Sequence, residues 1–215
     1  MKYNNIFIFG VGGHARVILS ELLLLDDHKS IVFVANDDCL VNSIKINDIN
    51  YTVINNMSEL KSLYDKGSCG IIGIGSIEKR MLICEKVSSI ISNFSWMCLL
   101  SKHAIISEDV KIGEGTVVIS GSLINTGTTI GKHCIINTKA SIDHDNTIGD
   151  FINISPTVVT GGSVKIGNNS DIGIGSTISN NIDIRHNVII GGHSFVNKDC
   201  ESNSLYFGSP IKKIK

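Results

Sequence analysis

From Ile106 onward an aliphatic residue returns at every sixth position, through Ile112, Val118, Ile124 and Ile130 to Ile190 and Val196, and only Thr160 breaks the series. The residue after it is often glycine (Gly113, Gly131, Gly149, Gly161, Gly167, Gly173, Gly191), and the fifth of each hexapeptide is often small (Thr116, Ser122, Thr128, Ala140, Ser170, Ser176, Ser194). Helices repeat every 3.6 residues and strands every two, so six is the period of neither. It is the period of a parallel β-helix, in which each hexapeptide gives one short strand and one corner, and three close a triangular coil. The pattern predicts an aliphatic side chain pointing into a prism too narrow for a second large one, hence a small fifth residue. The glycine is expected to ease the turn at the corner. Between Leu100 and Glu201 the phase holds for roughly five coils of about 18 residues, stacked about 4.8 Å apart.

The first hundred residues have another rhythm. Ile6 to Phe9 is a buried-strand run, Gly10 to Ala15 a glycine turn, Arg16 to Leu25 a helix, and Ile31 to Val34 a second strand. This is a β-α-β unit, the start of a parallel sheet. Ser58 caps a predicted helix running to Lys66, Ile71 to Ile74 reads as a strand leading into Gly75, Glu78 to Ile91 as a helix, and Phe94 to Trp96 as a last short strand. Residues 1–98 therefore read as a Rossmann-like α/β domain and 99–215 as an all-β parallel β-helix.

Composition narrows the function. A formal net charge of -1 over 215 residues gives no electrostatic case for nucleic acid or an acidic membrane. The apolar runs at Ile6 to Phe9 and Leu22 to Leu25 are too short for a signal segment or a membrane span, which predicts a cytoplasmic protein. Cys39, Cys69, Cys84, Cys98, Cys134 and Cys200 show no C-x-x-C spacing. They read as buried thiols in a reducing compartment rather than a disulfide frame or a zinc knuckle.

The turn Gly10-Val11-Gly12-Gly13-His14-Ala15 matches G-x-G-x-x-A, which brings backbone N–H groups at a helix N-terminus up to a phosphate. A dinucleotide site would want a longer domain and an acid about 20 residues on, whereas Asn36, Asp37 and Asp38 come later. A mononucleotide or nucleotide-sugar site is the preferred reading, with a dinucleotide site and a purely structural turn as the alternatives.

A short Rossmann-like domain with an F-G-x-G-G-H turn, followed by coils carrying Ile136-Asn137-Thr138, Ile142-Asp143-His144-Asp145 and Ile148-Gly149, resembles the bacterial sugar acetyltransferases that modify surface glycans. These are the nucleotide-linked 4-amino-sugar N-acetyltransferases of the PglD type and the sialic acid O-acetyltransferases of the NeuD type. The tail Phe207-Gly208-Ser209-Pro210-Ile211-Lys212 is similar to the G-x-P-A-K ending of that family, with Ser209 and Ile211 departing from it. The resemblance implies a left-handed β-helix, a homotrimer with acetyl-CoA as co-substrate between neighbouring β-helices, no metal, and His144 as general base. Chemistry asks for the same residue type there, because the acceptor must lose a proton as it adds to the thioester and imidazole titrates near neutral pH.

Asp145 stands at the acidic position that follows the histidine and is expected to raise its basicity. Gly162 lies 18 residues after His144, one coil above it, where a backbone N–H can face the developing oxyanion. By resemblance Ile174 and Gly192, also 18 apart, contact the CoA arm. Asn153 takes a place where some relatives carry a second histidine, and an amide there donates a hydrogen bond but shuttles no proton. The sugar nucleotide is expected on Gly12, Gly13 and His14, near Asn36 and Asp37, with Gly75 at the end of the later strand. Arg80 is read as a solvated helix residue within reach of a phosphate.

The preferred function is N-acetylation of a nucleotide-linked 4-amino-4,6-dideoxy sugar, with O-acetylation of a sialic acid or related sugar as the alternative. Two further readings stand beside it. Hexapeptide β-helices also host zinc carbonic anhydrases, and His103, His133, His186 and His193 join His144 here, although no H-x-x-x-x-H pair occurs. His133 and His193, fourth in their hexapeptides, are expected to point outward. The other reading is a scaffold without catalysis.

Overall fold

The computed structural model describes residues 3–25, 28–35, 41–46 and 48–215. The chain divides into two compact units, one ending at Met97 and the other beginning at Cys98.

In the first unit the described elements are β1 (Tyr3–Phe9), α1 (Gly13–Leu23), β2 (His28–Val34), β3 (Ser43–Ile46), β4 (Ile49–Ile54), α2 (Met57–Leu63), β5 (Cys69–Ile72) and α3 (Ile77–Ile90). The strands form one sheet in the order β3-β4-β2-β1-β5, parallel throughout except where β3 runs against β4. Ile6, Phe7, Ile8 and Phe9 are all buried, as a central parallel strand covered on both faces demands. Phe9 packs edge-on to Phe94 at 5.9 Å between ring centres. Gly70 makes room for this cluster, since a Cβ there would lie 2.5 Å from the Phe94 ring.

Two expectations need correction in this unit, and one element goes beyond them. The hairpin of β3 and β4 was not foreseen; it turns at Asp48, whose φ of 63° is the left-handed geometry such a turn requires. Asn56, rather than Ser58, caps α2: its Oδ1 accepts from the Glu59 N–H at 2.8 Å while its Nδ2 donates to Glu59 Oε1 at 2.7 Å. The strand expected at Phe94 to Trp96 is a single bridge between Trp96 and Gly70.

The second unit is the left-handed β-helix. Its two-residue strands stack in three parallel sheets, the faces of the prism. Face I runs from Ile105–Ile106 to Phe195–Val196, face II from Lys111–Ile112 to Asp183–Ile184, and face III from Leu99–Leu100 to Ile189–Ile190, extended by tail strands Leu205–Phe207 and Lys212–Lys213. The chain visits III, I and II in turn. Ile142 pairs with Ile124 below and Thr160 above, so residues 18 apart are stacked neighbours.

The aliphatic series fills the interior, but two details of the reading do not hold. The left-handed turn residue is the fourth of the hexapeptides from Ile112 to Ile190, among them Asp145 at φ 59° and Asn169 at φ 61°. The second-position glycine answers to space instead: a Cβ on Gly113 would lie 2.6 Å from the Gly131 carbonyl carbon, and one on Gly173 2.6 Å from the Gly192 nitrogen. Nor must the fifth residue be small. Ile152, Val158, Val164 and Val188 are wholly buried at that position, so the prism holds two aliphatics per hexapeptide.

Candidate active site

His144 stands at the edge between faces I and II, where the strand Ser141–Ile142 turns toward Thr147–Ile148. Its Nδ1 lies 2.8 Å from Asp145 Oδ2, so the carboxylate accepts the Nδ1 proton and leaves the Nε2 lone pair open to a substrate. That hydrogen bond, helped by the charges of Asp143 and Asp145, holds the imidazole pKa above its ordinary value. Both side chains are more than half exposed. Asp143 secures the turn: its Oδ1 accepts from the His144 N–H at 2.8 Å and from Asn125 Nδ2 at 3.0 Å, bonds that lower its own pKa, Asn125 foremost.

Gly162 is stacked on this corner as the 18-residue spacing predicts. The His144 carbonyl accepts from the Ser163 N–H at 2.9 Å, and the imidazole lies against Gly162 so closely that a Cβ there would come within 2.6 Å of both Cε1 and Nε2. Any side chain at 162 would displace the ring. Below, Gly127 (φ 72°) leaves room for the Asp145 carboxylate, which would clash with a Cβ at that position.

Two residues of this corner carry no role in the sequence reading. Thr160, the break in the aliphatic series, is buried on the inner side of the turn, one coil above, with Oγ1 accepting from the Asp143 N–H at 3.3 Å. Asn146 is wholly buried, and its Nδ2 donates to the carbonyls of Asp143 (2.7 Å), His144 (3.2 Å) and Gly161 (3.0 Å). Its Oδ1 is buried without a hydrogen-bond partner, a cost on the order of 1–3 kcal/mol. The signal for both is the same: a polar side chain at an inward position of the repeat.

Ile174 and Gly192 stack on each other at a different edge, between faces III and I. The Ile174 carbonyl accepts from the His193 N–H at 2.8 Å, and a Cβ on Gly192 would lie 3.2 Å from Ile174 Cγ2. The Ile174 side chain is 52% exposed. Asn153 lies on face III and donates to Asp171 Oδ2 at 3.3 Å, which ties it to the coil above. Within one chain, then, His144 and Gly162 come together, Ile174 and Gly192 come together, and Asn153 joins neither pair.

In the first unit the glycine turn opens α1. A Cβ on Gly12 or Gly13 would meet nothing within 4 Å, and the first turn of α1 has neither an acidic residue nor a side-chain cap, which leaves its N–H groups open to an anion. Ala15 closes the motif because a Cβ on Gly73 would already lie 2.7 Å from its Cα. His14 is lowered to about 4 by burial and then by the Arg80 charge, so its imidazole is neutral at pH 7. Gly75 is as open as Gly12. Asn36 and Asp37 lie outside the described residues. Arg80 is not solvated: it is 1% exposed, with Nη1 donating to the carbonyls of Gly75 at 2.6 Å and Ile74 at 3.3 Å. It shapes the strand end from within. Beside these residues a cleft of about 480 Å³, lined by Ala35, Ile74, Asn56, Lys79 and Lys86 with apolar α3 side chains, is a feature the sequence did not reveal.

His103, His133, His186 and His193 are dispersed over the prism edges, and no group of three or more His, Cys, Asp or Glu suited to a metal occurs among the described residues. His133 does not point outward: it is 6% exposed and stacks on Phe151 with ring centres 5.1 Å apart. Cys69, Cys134 and Cys200 are buried free thiols, and burial pushes Cys69 and Cys200 up to about 12. Cys84 and Cys98 are half-buried, contrary to expectation. No described helix is long and apolar enough to cross a membrane.

Comparison with known proteins agrees with the fold. Residues 5–87 match the family described as the PglD N-terminal domain. GDP-perosamine N-acetyltransferase of Escherichia coli O157:H7 is 24% identical over 188 residues, 86% of this chain and 82% of that protein. Among solved structures, the acetyltransferase domain of PglB from Neisseria gonorrhoeae FA1090 in complex with acetyl coenzyme A is 26% identical at a TM-score of 0.89, covering 99% of this chain and 100% of that one. PerB from Caulobacter crescentus, in complex with CoA and GDP-perosamine, is 27% identical at a TM-score of 0.86, covering 99% and 98%. With a match to the PglD N-terminal domain at residues 5–87 and a left-handed β-helix after it in sequence, the chain resembles the PglD-type sugar acetyltransferases.

Proposed function

We propose that the protein transfers the acetyl group of acetyl-CoA to the amine of a nucleotide-linked 4-amino-4,6-dideoxy sugar destined for a surface glycan. The observation that carries this reading is the corner of His144, Asp145 and Gly162. With Nδ1 engaged by Asp145, His144 Nε2 takes the proton that the amine loses as its bond to the acetyl carbon forms. The Gly162 N–H meets the carbonyl oxygen as it becomes an oxyanion, and the proton passes from His144 to the departing CoA sulfur. The open N-terminus of α1 suits the diphosphate of a sugar nucleotide, and neutral His14 beside it adds a polar group without a competing charge. An amine acceptor is favoured over a hydroxyl because, of the relatives above, one is named an N-acetyltransferase and another was solved with GDP-perosamine.

The same reading assigns a homotrimer. His144 and Gly162 lie on one edge of face I, Ile174 and Gly192 on the other, apart by the width of a face, at most about 20 Å of chain. Three prisms turning face I toward a common axis bring the His144 edge of each against the Ile174 edge of the next, and the ring closes. The outward side chains of face I favour that burial, since Ile105, Val159 and Phe195 are 70%, 42% and 39% exposed in the single chain. Face II, with Lys111, Lys165 and Asp183 at the matching positions, suits solvent. The test is CoA release over a panel of nucleotide 4-amino sugars and sialic acids, with the mass taken by light scattering. Release with sialic acids alone overturns the acceptor, and an active monomer overturns the trimer.

A further inference from the structure

We infer that Asn146 is a positioning residue, whose buried amide turns the Gly162 N–H outward at His144 and thereby aims the donor that meets the oxyanion. The inference rests on the roles given to His144 and Gly162 above and deepens them.

The prism repeats one polar device. At Thr116, Ser122, Thr128, Ser170 and Ser176, an inward hydroxyl at the fifth position donates to the carbonyl 15 residues on, the second residue of a later hexapeptide, at 2.8–3.1 Å. A peptide unit is planar and trans, so its C=O and N–H point opposite ways. A carbonyl held toward the interior therefore presents the following N–H to the outside.

For Asn146 the carbonyl 15 residues on is that of Gly161, at 3.0 Å, and the N–H of the same peptide is that of Gly162. No backbone carbonyl of the described residues accepts a hydrogen bond from it. The same amide also holds the carbonyls of Asp143 and His144, so one side chain fixes the turn that carries the base and the peptide that carries the donor.

Folding does not require it. Ile152, Val158 and Val164 fill the fifth position elsewhere with no donor at all, and Ser or Thr would satisfy Gly161 without stranding a buried acceptor. The amide is the choice that packs least comfortably and reaches all three carbonyls.

The test compares two side chains of one shape in steady-state kinetics. Asn146→Thr keeps a donor for the Gly161 carbonyl, whereas Asn146→Val does not. The valine enzyme is expected to lose about 10- to 100-fold in kcat with both KM values within about twofold. The threonine enzyme is expected within about threefold of wild type. Ser170→Val removes the equivalent bond to the Arg185 carbonyl at another edge; it is expected to lower the melting temperature comparably and leave kcat unchanged. Should the valine enzyme fail to fold, Asn146→Ser against Asn146→Ala puts the same question, since Ala140 already fills a fifth position. A donor-less variant within about twofold of its hydroxyl partner in kcat overturns the inference. His144→Ala runs in parallel: full activity there overturns the reading of the site itself, while loss there beside an unaffected Asn146→Val overturns the positioning role alone.

Discussion

In the β-helix a residue's neighbour is found by addition. His144 lies under Gly162 and Ile174 under Gly192 because every 18 residues the chain returns to the same edge. In the N-terminal unit addition finds nothing: His14 answers electrostatically to Arg80, and Ala15 is set by Gly73, through contacts that only the folded sheet brings together. A repeat makes both its core and its surface positions readable. An ordinary α/β unit advertises its strands and its glycine turn, while the groups that tune the turn stay hidden until the chain is closed.

That contrast can be broken at the base itself. His144→Ala is expected to lower kcat by about 10²- to 10⁴-fold and to leave acetyl-CoA binding by calorimetry nearly unchanged, because the donor is assigned to backbone groups on another edge. Next in size, Gly162→Ala and Gly75→Ala separate the two units. The first sets a methyl 2.6 Å from the imidazole and is expected to cost at least about 100-fold in kcat, whereas the second enters open space and is expected to change acceptor KM by less than about tenfold. Equal losses from the two alanines would erase the distinction.

A smaller effect belongs to Asp145→Asn. Its hydrogen bond raises the His144 pKa, so losing the carboxylate lowers it, and the neutral base then persists to more acid pH. The acid limb of kcat/KM is expected to move to lower pH, read across about pH 5.5 to 9. A limb that stays in place would mean that Asp145 does not tune the base.

The least effect on activity is expected from acid acting on His14. Its folded pKa of about 4 lies below the unfolded value of 6.5, so between those values the unfolded chain binds more protons. Stability from this group is complete above pH 6.5 and is lost as pH falls toward about 4, on the order of 3 kcal/mol in all. Urea melts of wild type and His14→Gln over that window check it, and the glutamine variant should lack this part of the slope.

The period of six, the β-α-β start and the stacking of Gly162 on His144 were legible because each depends on spacing. The second-position glycines misled, since glycine signals both a left-handed turn and a close approach, and only the neighbouring coil 2.6 Å away reveals which. Asn146 and Thr160 were visible as polar residues in an inward series, but their targets are carbonyls, which every sequence has everywhere. Arg80 looked solvated because nothing in a helix pattern announces that strand-end carbonyls await its guanidinium. The β3–β4 hairpin did leave a trace, an Asp48 between a short Ile-containing run and the Ile-, Val- and Thr-rich run Ile49–Ile54.

The three-faced coil also dictates which insertions and deletions a lineage can survive. Removing 18 residues between His144 and the tail takes out one storey and leaves every later corner above its old edge. Removing six within 145–161 leaves the prism just as regular, yet rotates all that follows by one face, so that Gly162 no longer stands over His144. A β-helix of this kind can therefore change its height in whole turns, while a single hexapeptide lost in the wrong place yields a well-folded protein with the groups proposed for catalysis on different edges.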